Sequence, residues 1–144
     1  MVLALALVAP LGLEAPALAA SSSVCSACEN EDPNTWRVWT GPYDYYLCAT
    51  DAITVDTIPH TRAPSKYVEL RYSPRCRTVW ARSVGSGFEM GVERLSPART
   101  LSCCAASSTD QSSPPKRWTN MLDDAGVVSR AYMYDGTTQY TKWY

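Results

Sequence analysis

The feature that most restricts this chain is an absence: no window of twelve or more residues carries a clean 3.6-residue apolar period. Short windows instead alternate apolar with polar residues and stop at Pro, Gly, Ser or Asp, the pattern of half-buried strands between turns. These windows are 36–39, 52–58, 67–72, 78–83, 88–95, 128–134 and 139–143. Their separators include Gly41-Pro42, the Pro59 to Pro64 stretch, Ser73-Pro74, Gly85-Ser86-Gly87, Pro97 and Asp135-Gly136. About seven short strands at this spacing predict an all-β domain, either a small β-barrel or a β-sandwich. Residues 121–125 are expected to make one helical turn, and SSTDQSSPP at 107–115 a solvent loop without function.

The first nineteen residues read differently. Val2 to Leu13 is an apolar run and Ala17-Leu18-Ala19 a small-residue cleavage pattern, so residues 1–19 are expected to be a cleaved secretory signal. Pro10, Gly12, Glu14 and Pro16 interrupt the run, whereas a membrane span needs about 20 apolar residues, so stable membrane insertion is not expected. The remainder is long enough for one core: a coil at 20–34 tied down by cysteines, and a single β domain at 35–144.

A secreted, extracellular location makes Cys25, Cys28, Cys48, Cys76, Cys103 and Cys104 a disulfide framework. Sequence selects no connectivity; the working expectation is that Cys25 or Cys28 closes on Cys48 and pins the N-terminal segment to the first strands. Cys103 and Cys104 are not expected to bond each other, because a trans peptide aims neighbouring side chains apart. The Cys25-x-x-Cys28 spacing also suits zinc, but a second ligand pair is missing and His60 is the only histidine. A thioredoxin-like role would need a βαβ context. No metal and no cofactor is expected.

Removing Glu14 with the leader leaves thirteen acids against thirteen bases, which predicts no nucleic-acid partner. The charges are nonetheless segregated. Residues 29–56 hold six acids against Arg37 alone, and residues 62–99 hold eight bases against Glu69, Glu89 and Glu93. Pairing of the two segments inside the fold is the first expectation; opposite patches offered to a partner are the second.

The densest basic stretch is VELRYSPRCRTVWAR, 68–82. Val68, Leu70 and Tyr72 alternate with Glu69 and Arg71, which puts the apolar three on one face. Ser73-Pro74-Arg75 is turn chemistry. After it, Cys76, Thr78 and Trp80 share one parity and Arg77, Val79 and Ala81 the other, and parity does not say whether Trp80 or Val79 faces inward. Arg71, Arg75, Arg77 and Arg82 are therefore candidates for a cationic docking surface, or else arginine stems covering apolar surface with their heads on local acids such as Glu69.

Catalytic motifs are scarce. There is no G-x-S-x-G, H-E-x-x-H or Gly-rich phosphate loop. His60 sits in a Pro-rich loop and is expected at the surface. Asp123-Asp124 could be the paired carboxylates of a glycosidase, and a small hydrolase would rely on Asp51, Asp123 or Asp124, but adjacent acids in a turn more often cap a helix or bond the backbone. The chain is expected not to be an enzyme. Aromatic residues point toward binding: nine Tyr and five Trp accompany a single Phe. Trp36, Trp39, Tyr43, Tyr45 and Tyr46 cluster in one segment, and Tyr140, Trp143 and Tyr144 lie at the C-terminus. Rings in loops and at termini are hard to bury and serve as interface anchors or sugar-stacking platforms.

CATDAITV (48–55), VELRYSPRCRTVWAR (68–82) and TNMLDDAGVVSRAYMYDG (119–136) resemble three blocks of the YjfA-like family of small exported domains of Gram-positive bacteria. The resemblance covers roughly residues 25–144. It implies a disulfide-stabilised β domain without established catalysis. It further implies a kinship with adaptors of umbrella-shaped antibacterial toxin particles, which join a lectin-type subunit to a large secreted repeat toxin. The expected function is thus a secreted, non-enzymatic protein-interaction module, an adaptor with protein partners. The alternatives are a cell-wall or carbohydrate-binding domain using Trp36, Trp39 and Tyr43 to Tyr46, and a small hydrolase.

Overall fold

The computed structural model describes residues 25–103 and 109–144, so the expected signal and Cys104 lie outside the described residues. The described chain is all-β. Its strands are β1 (Val38–Trp39), β2 (Tyr45–Tyr46), β3 (Ile53–Pro59), β4 (Tyr67–Ser73), β5 (Thr78–Val84) and β6 (Glu89–Arg94). They continue as β7 (Arg99–Ser102), β8 (Thr109–Asp110), β9 (Lys116–Trp118), β10 (Leu122–Asp123), β11 (Ser129–Tyr134) and β12 (Thr138–Tyr140). Two 3-10 turns, Ser26–Cys28 and Cys48–Asp51, complete the elements.

Among the described residues three antiparallel sheets form and none closes into a barrel. One runs β3-β4-β5-β9-β8, with β10 also paired to β5; a second runs β12-β11-β6-β7; β1 and β2 make a separate hairpin. The two large sheets face each other as a sandwich. Period two accounts for it: Val68, Leu70, Val79 and Ala81 from one sheet meet Met90, Val92, Ala131 and Met133 from the other in a continuous buried cluster. Each Val, Leu or Met side chain among them, fully withdrawn from water, contributes about 1.5–3 kcal/mol.

The parity question over Trp80 and Val79 has a double answer, because both faces of β5 are covered. Val79 enters the sandwich core, while Trp80, 2% exposed, enters a second cluster with Cys25, Cys28, Cys48, Cys76 and Met121. That second cluster is roofed by the N-terminal segment. It is stitched down by backbone bonds Asn30 N to Met121 O at 2.8 Å and Met121 N to Glu31 O at 2.9 Å. The coil expected at 20–34 is thus, over its described part, a fixed lid with one 3-10 turn.

The cysteine expectation is corrected. Cys25 bonds Cys28, the two ends of a single 3-10 turn with Cα atoms 5.3 Å apart, and Cys48 bonds Cys76, 5.7 Å apart. The β4–β5 turn carries Cys76 up to the Cys48–Asp51 turn, a long-range approach that spacing along the chain does not reveal. The anticipated Cys28 and Cys48 pair are neighbours, with sulfurs 3.8 Å apart, but each is committed elsewhere. Cys103 is disulfide-bonded too; the expectation about Cys103 with Cys104 concerns a residue outside the described set.

Three further expectations change. Leu122 and Asp123 pair with Val79 and Thr78, so the helical turn expected at 121–125 is replaced by a strand bridge. Within 107–115, Thr109 and Asp110 pair with Arg117 and Lys116, extending the sheet rather than looping through solvent. His60 is not a free surface residue: its side chain is 14% exposed, edge-on to Phe88 at 5.6 Å and 3.7 Å from Asp135.

Candidate functional site: a cationic cleft with an aromatic hairpin at its rim

The β4–β5 ribbon builds the site through its register. Glu69 stands opposite Arg82, and Arg71 opposite Trp80, all on the face turned away from the sandwich core. Directly opposed charges attract across a sheet, and Arg82 Nε donates to Glu69 Oε2 at 2.6 Å. Arg82 also pairs in register with Trp118 of β9, and Asp110 with Lys116. Alternation then sends Lys116 and Trp118 to this face, whereas Arg117 between them donates to the Phe88 carbonyl.

The result is a cleft of about 290 Å³ lined by Arg71, Arg82, Lys116, Trp80, Trp118 and Asp110, with Asn34 and Ala49 at its edge. Arg71 is only partly satisfied. Its terminal nitrogens donate to Thr54 Oγ1 and, at 2.7 Å, to the Ala52 carbonyl, while Nε is buried with no partner. Burial, and secondly the neighbouring Arg82, push its guanidinium below the ordinary value, against the opposing pull of Glu69. A wall of cations beside two indole rings is suited to a carboxylate-bearing group, since a guanidinium in partial burial binds carboxylates through charge-assisted hydrogen bonds.

The four ribbon arginines therefore have different fates. Arg82 is neutralised by Glu69, as the reading with arginine heads on local acids anticipated. Arg71 lines the cleft without an ion pair among the described residues. Arg77 does not extend β5; it adopts φ 55° in a turn longer than Ser73-Pro74-Arg75, closed by Arg77 N to Ser73 O at 2.8 Å. Arg75 stands at the tip, its backbone N–H on Asp51 and its guanidinium over the Tyr46 ring at 3.6 Å. The segregated acids pair inward only in part: Glu29 binds Arg94 at 3.1 Å and Arg99 at 3.0 Å, while Asp51 serves the turn.

The Arg75 contact ties the ribbon to the aromatic segment. Chain 34–47 leaves the cleft edge and returns to it, its base held by Ala49 N donating to the Pro33 carbonyl at 3.0 Å. Beyond that base, Val38 pairs with Tyr46 and Trp39 with Tyr45. Trp39 tilts on Tyr45 with centroids 5.3 Å apart, and Arg37 covers the Tyr45 ring at 4.6 Å. Trp39 is 56% exposed and Tyr43 92%. Trp36 departs from this set: it packs against the second core and does not join the exposed rings.

Among residues that sequence reading left out, Lys116 and Trp118 belong to a three-residue strand, too short for alternation to announce. The carboxylates raised as catalytic candidates are engaged structurally. Asp51 accepts from Ser73 Oγ at 2.6 Å and Arg75 N at 2.8 Å. Asp123 Oδ1 accepts from Ala125 N at 3.1 Å. Asp124 is buried and accepts from Ser129 Oγ at 2.6 Å; burial raises its pKa to about 6. The sulfurs of Cys28, Cys48 and Cys76 lie within 4.8 Å of one another, but as disulfides they offer no thiolate to a metal. No helix among the described residues is long and apolar enough to cross a membrane.

The model of a family described as a protein of unknown function, DUF2690, matches residues 26–142. No curated protein and no solved structure gives a significant match.

Proposed function

Because the chain belongs to the DUF2690 family, whose description assigns no activity, its role has to be read from its own surfaces, and we propose a secreted, non-enzymatic protein-interaction module. In this reading it is an adaptor subunit of an extracellular antibacterial toxin complex, docking an acidic segment of its partner. The observation that carries the reading is the continuity of Trp39, Tyr43 and Tyr45 with Arg37 and Arg75, whose guanidiniums lie on rings rather than on carboxylates. Exposed aromatics beside unneutralised arginines are the residue types that dominate binding hot spots. The adjoining cleft adds Arg71 and Lys116 for a carboxylate.

The hairpin supplies apolar anchors, and the cleft supplies charge that speeds encounter and sets orientation. The Cys25–Cys28 and Cys48–Cys76 disulfides and a roofed second core keep both preorganised, so little ordering opposes association. Purifying the tagged protein from the culture medium of its native producer under gentle conditions tests the role. A stoichiometric partner should accompany it and be lost on Trp39→Ala or Arg75→Ala; recovery as a lone monomer overturns the reading.

A further inference from the structure

The outer face of the four-stranded sheet carries a second arrangement that the cleft does not use. Along β11, Ala131 and Met133 point into the sandwich core, so Arg130, Tyr132 and Tyr134 point outward. Strand register then sets three rows across the sheet. Thr138, Tyr134 and Glu89 form the first; Tyr140, Tyr132, Gly91 and Ser102 the second; Arg130, Glu93 and Thr100 the third.

The middle row is built over a missing side chain. A Cβ at Gly91 would collide with the Tyr132 ring and stand 2.6 Å from the Leu101 carbonyl oxygen. Glycine therefore lets the Tyr132 ring lie down on the strand, where its hydroxyl meets Ser102 Oγ at 2.7 Å. Tyr140 tilts beside it with centroids 6.5 Å apart and planes at 57°. The floor and walls of the resulting groove, about 400 Å³, are ring faces of Tyr132, Tyr134 and Tyr140, and Thr100 and Thr138 bring hydroxyls to its rim.

Charge narrows what fits. Arg130 is the single cation of the three rows, and it is consumed: it is bound to Glu93 and packed between the Tyr140 and Trp143 rings at 3.7 and 4.2 Å. Glu89 is exposed, and its carboxylate has no hydrogen bond or ion pair among the described residues. A carboxylate on the groove wall, beside rings whose faces carry the negative end of the aromatic quadrupole, favours an ammonium group. Flat rings edged by hydroxyls favour the C–H face and hydroxyls of a pyranose.

We propose that this face binds an amino-sugar polymer of the glucosamine type, its rings laid on Tyr132, Tyr134 and Tyr140 and one protonated amine held by Glu89. An acidic glycan would be repelled by Glu89. An N-acetylated one would leave that carboxylate without its ionic partner, at a cost on the order of tenfold in affinity.

Calorimetric titration of the full chain with glucosamine hexamer and N-acetylglucosamine hexamer in mildly acidic buffer tests it, with nuclear magnetic resonance locating the perturbed residues. The glucosamine hexamer should bind about tenfold more tightly, with perturbations on β6, β11 and β12. Glu89→Gln should erase that preference. Tyr134→Ala, at an exposed ring, should weaken both ligands by about tenfold or more while leaving the fold unchanged. Absence of binding by either hexamer, perturbations confined to the cleft, or a preference that survives Glu89→Gln overturns the assignment. This site stands or falls apart from the cleft, since none of its residues lines both.

Discussion

The two described disulfides should contribute very unequally to stability, and the difference follows from how much chain each one encloses. Cys48 and Cys76 are 28 residues apart; Cys25 and Cys28 are 3 apart. Loop-closure entropy grows with the logarithm of that number. At 25 °C it amounts to about 3.6 kcal/mol for the longer loop and about 1.6 kcal/mol for the shorter. All four side chains are buried in the same cluster, so paired alanine substitution also leaves comparable voids, and those costs cancel in the comparison. Cys48→Ala/Cys76→Ala should therefore be less stable than Cys25→Ala/Cys28→Ala by about 2 kcal/mol. Urea unfolding followed by tryptophan fluorescence reads this well, because Trp80 lies in the affected cluster. With a slope of about 2 kcal/mol per molar for a domain of this size, the midpoints should differ by about 1 M. Equal midpoints, or a larger loss for the Cys25/Cys28 pair, would refute the assignment of stabilisation to the enclosed loop.

Other perturbations probe other parts of the fold. Asp124 has its carboxyl raised from 3.8 to about 6 by burial, so the folded chain keeps a proton there that the unfolded chain has already released. Stability is then highest below pH 3.8 for this group and falls as pH rises through about 6, by about 3 kcal/mol. Asp124→Asn, which still accepts from Ser129, should flatten that fall; an unchanged slope in urea midpoints from pH 4 to about 7 would remove Asp124 as its source. Gly91→Ala should cost about 1–3 kcal/mol by thermal unfolding, since the added methyl meets the Tyr132 ring and a backbone carbonyl. Tyr43→Ala, at a nearly fully exposed ring, should leave stability within about 0.5 kcal/mol yet reduce recovery of the partner about tenfold or more.

The β4–β5 hairpin was legible because period two runs through VELRY without interruption and the turn residues that follow have few other uses. Six of the windows read from alternation overlap strands of the two large sheets or, at 36–39, the first strand of the separate hairpin; the window at 139–143 overlaps β12 only at Gln139 and Tyr140. The strands that escaped notice, β2, β7, β8, β9 and β10, have two to four residues each. A pattern needs more positions than that to be told from chance. Trp36, named with its aromatic neighbours, was assigned to their surface because adjacency along the chain carries no information about which side of a second core a ring will choose.

Sequence alone thus determined the all-β class, the main hairpin and the kinds of residue available for binding, because alternation and turn chemistry act within a few residues of one another. Only the tertiary structure decided that both faces of β5 are buried, that Cys76 meets Cys48, that Arg82 is spent on Glu69 while Arg71 is not, and that three tyrosines share one groove. Each of these depends on register between strands distant in the chain, and register is set by how the two sheets and the N-terminal lid bury their apolar faces together.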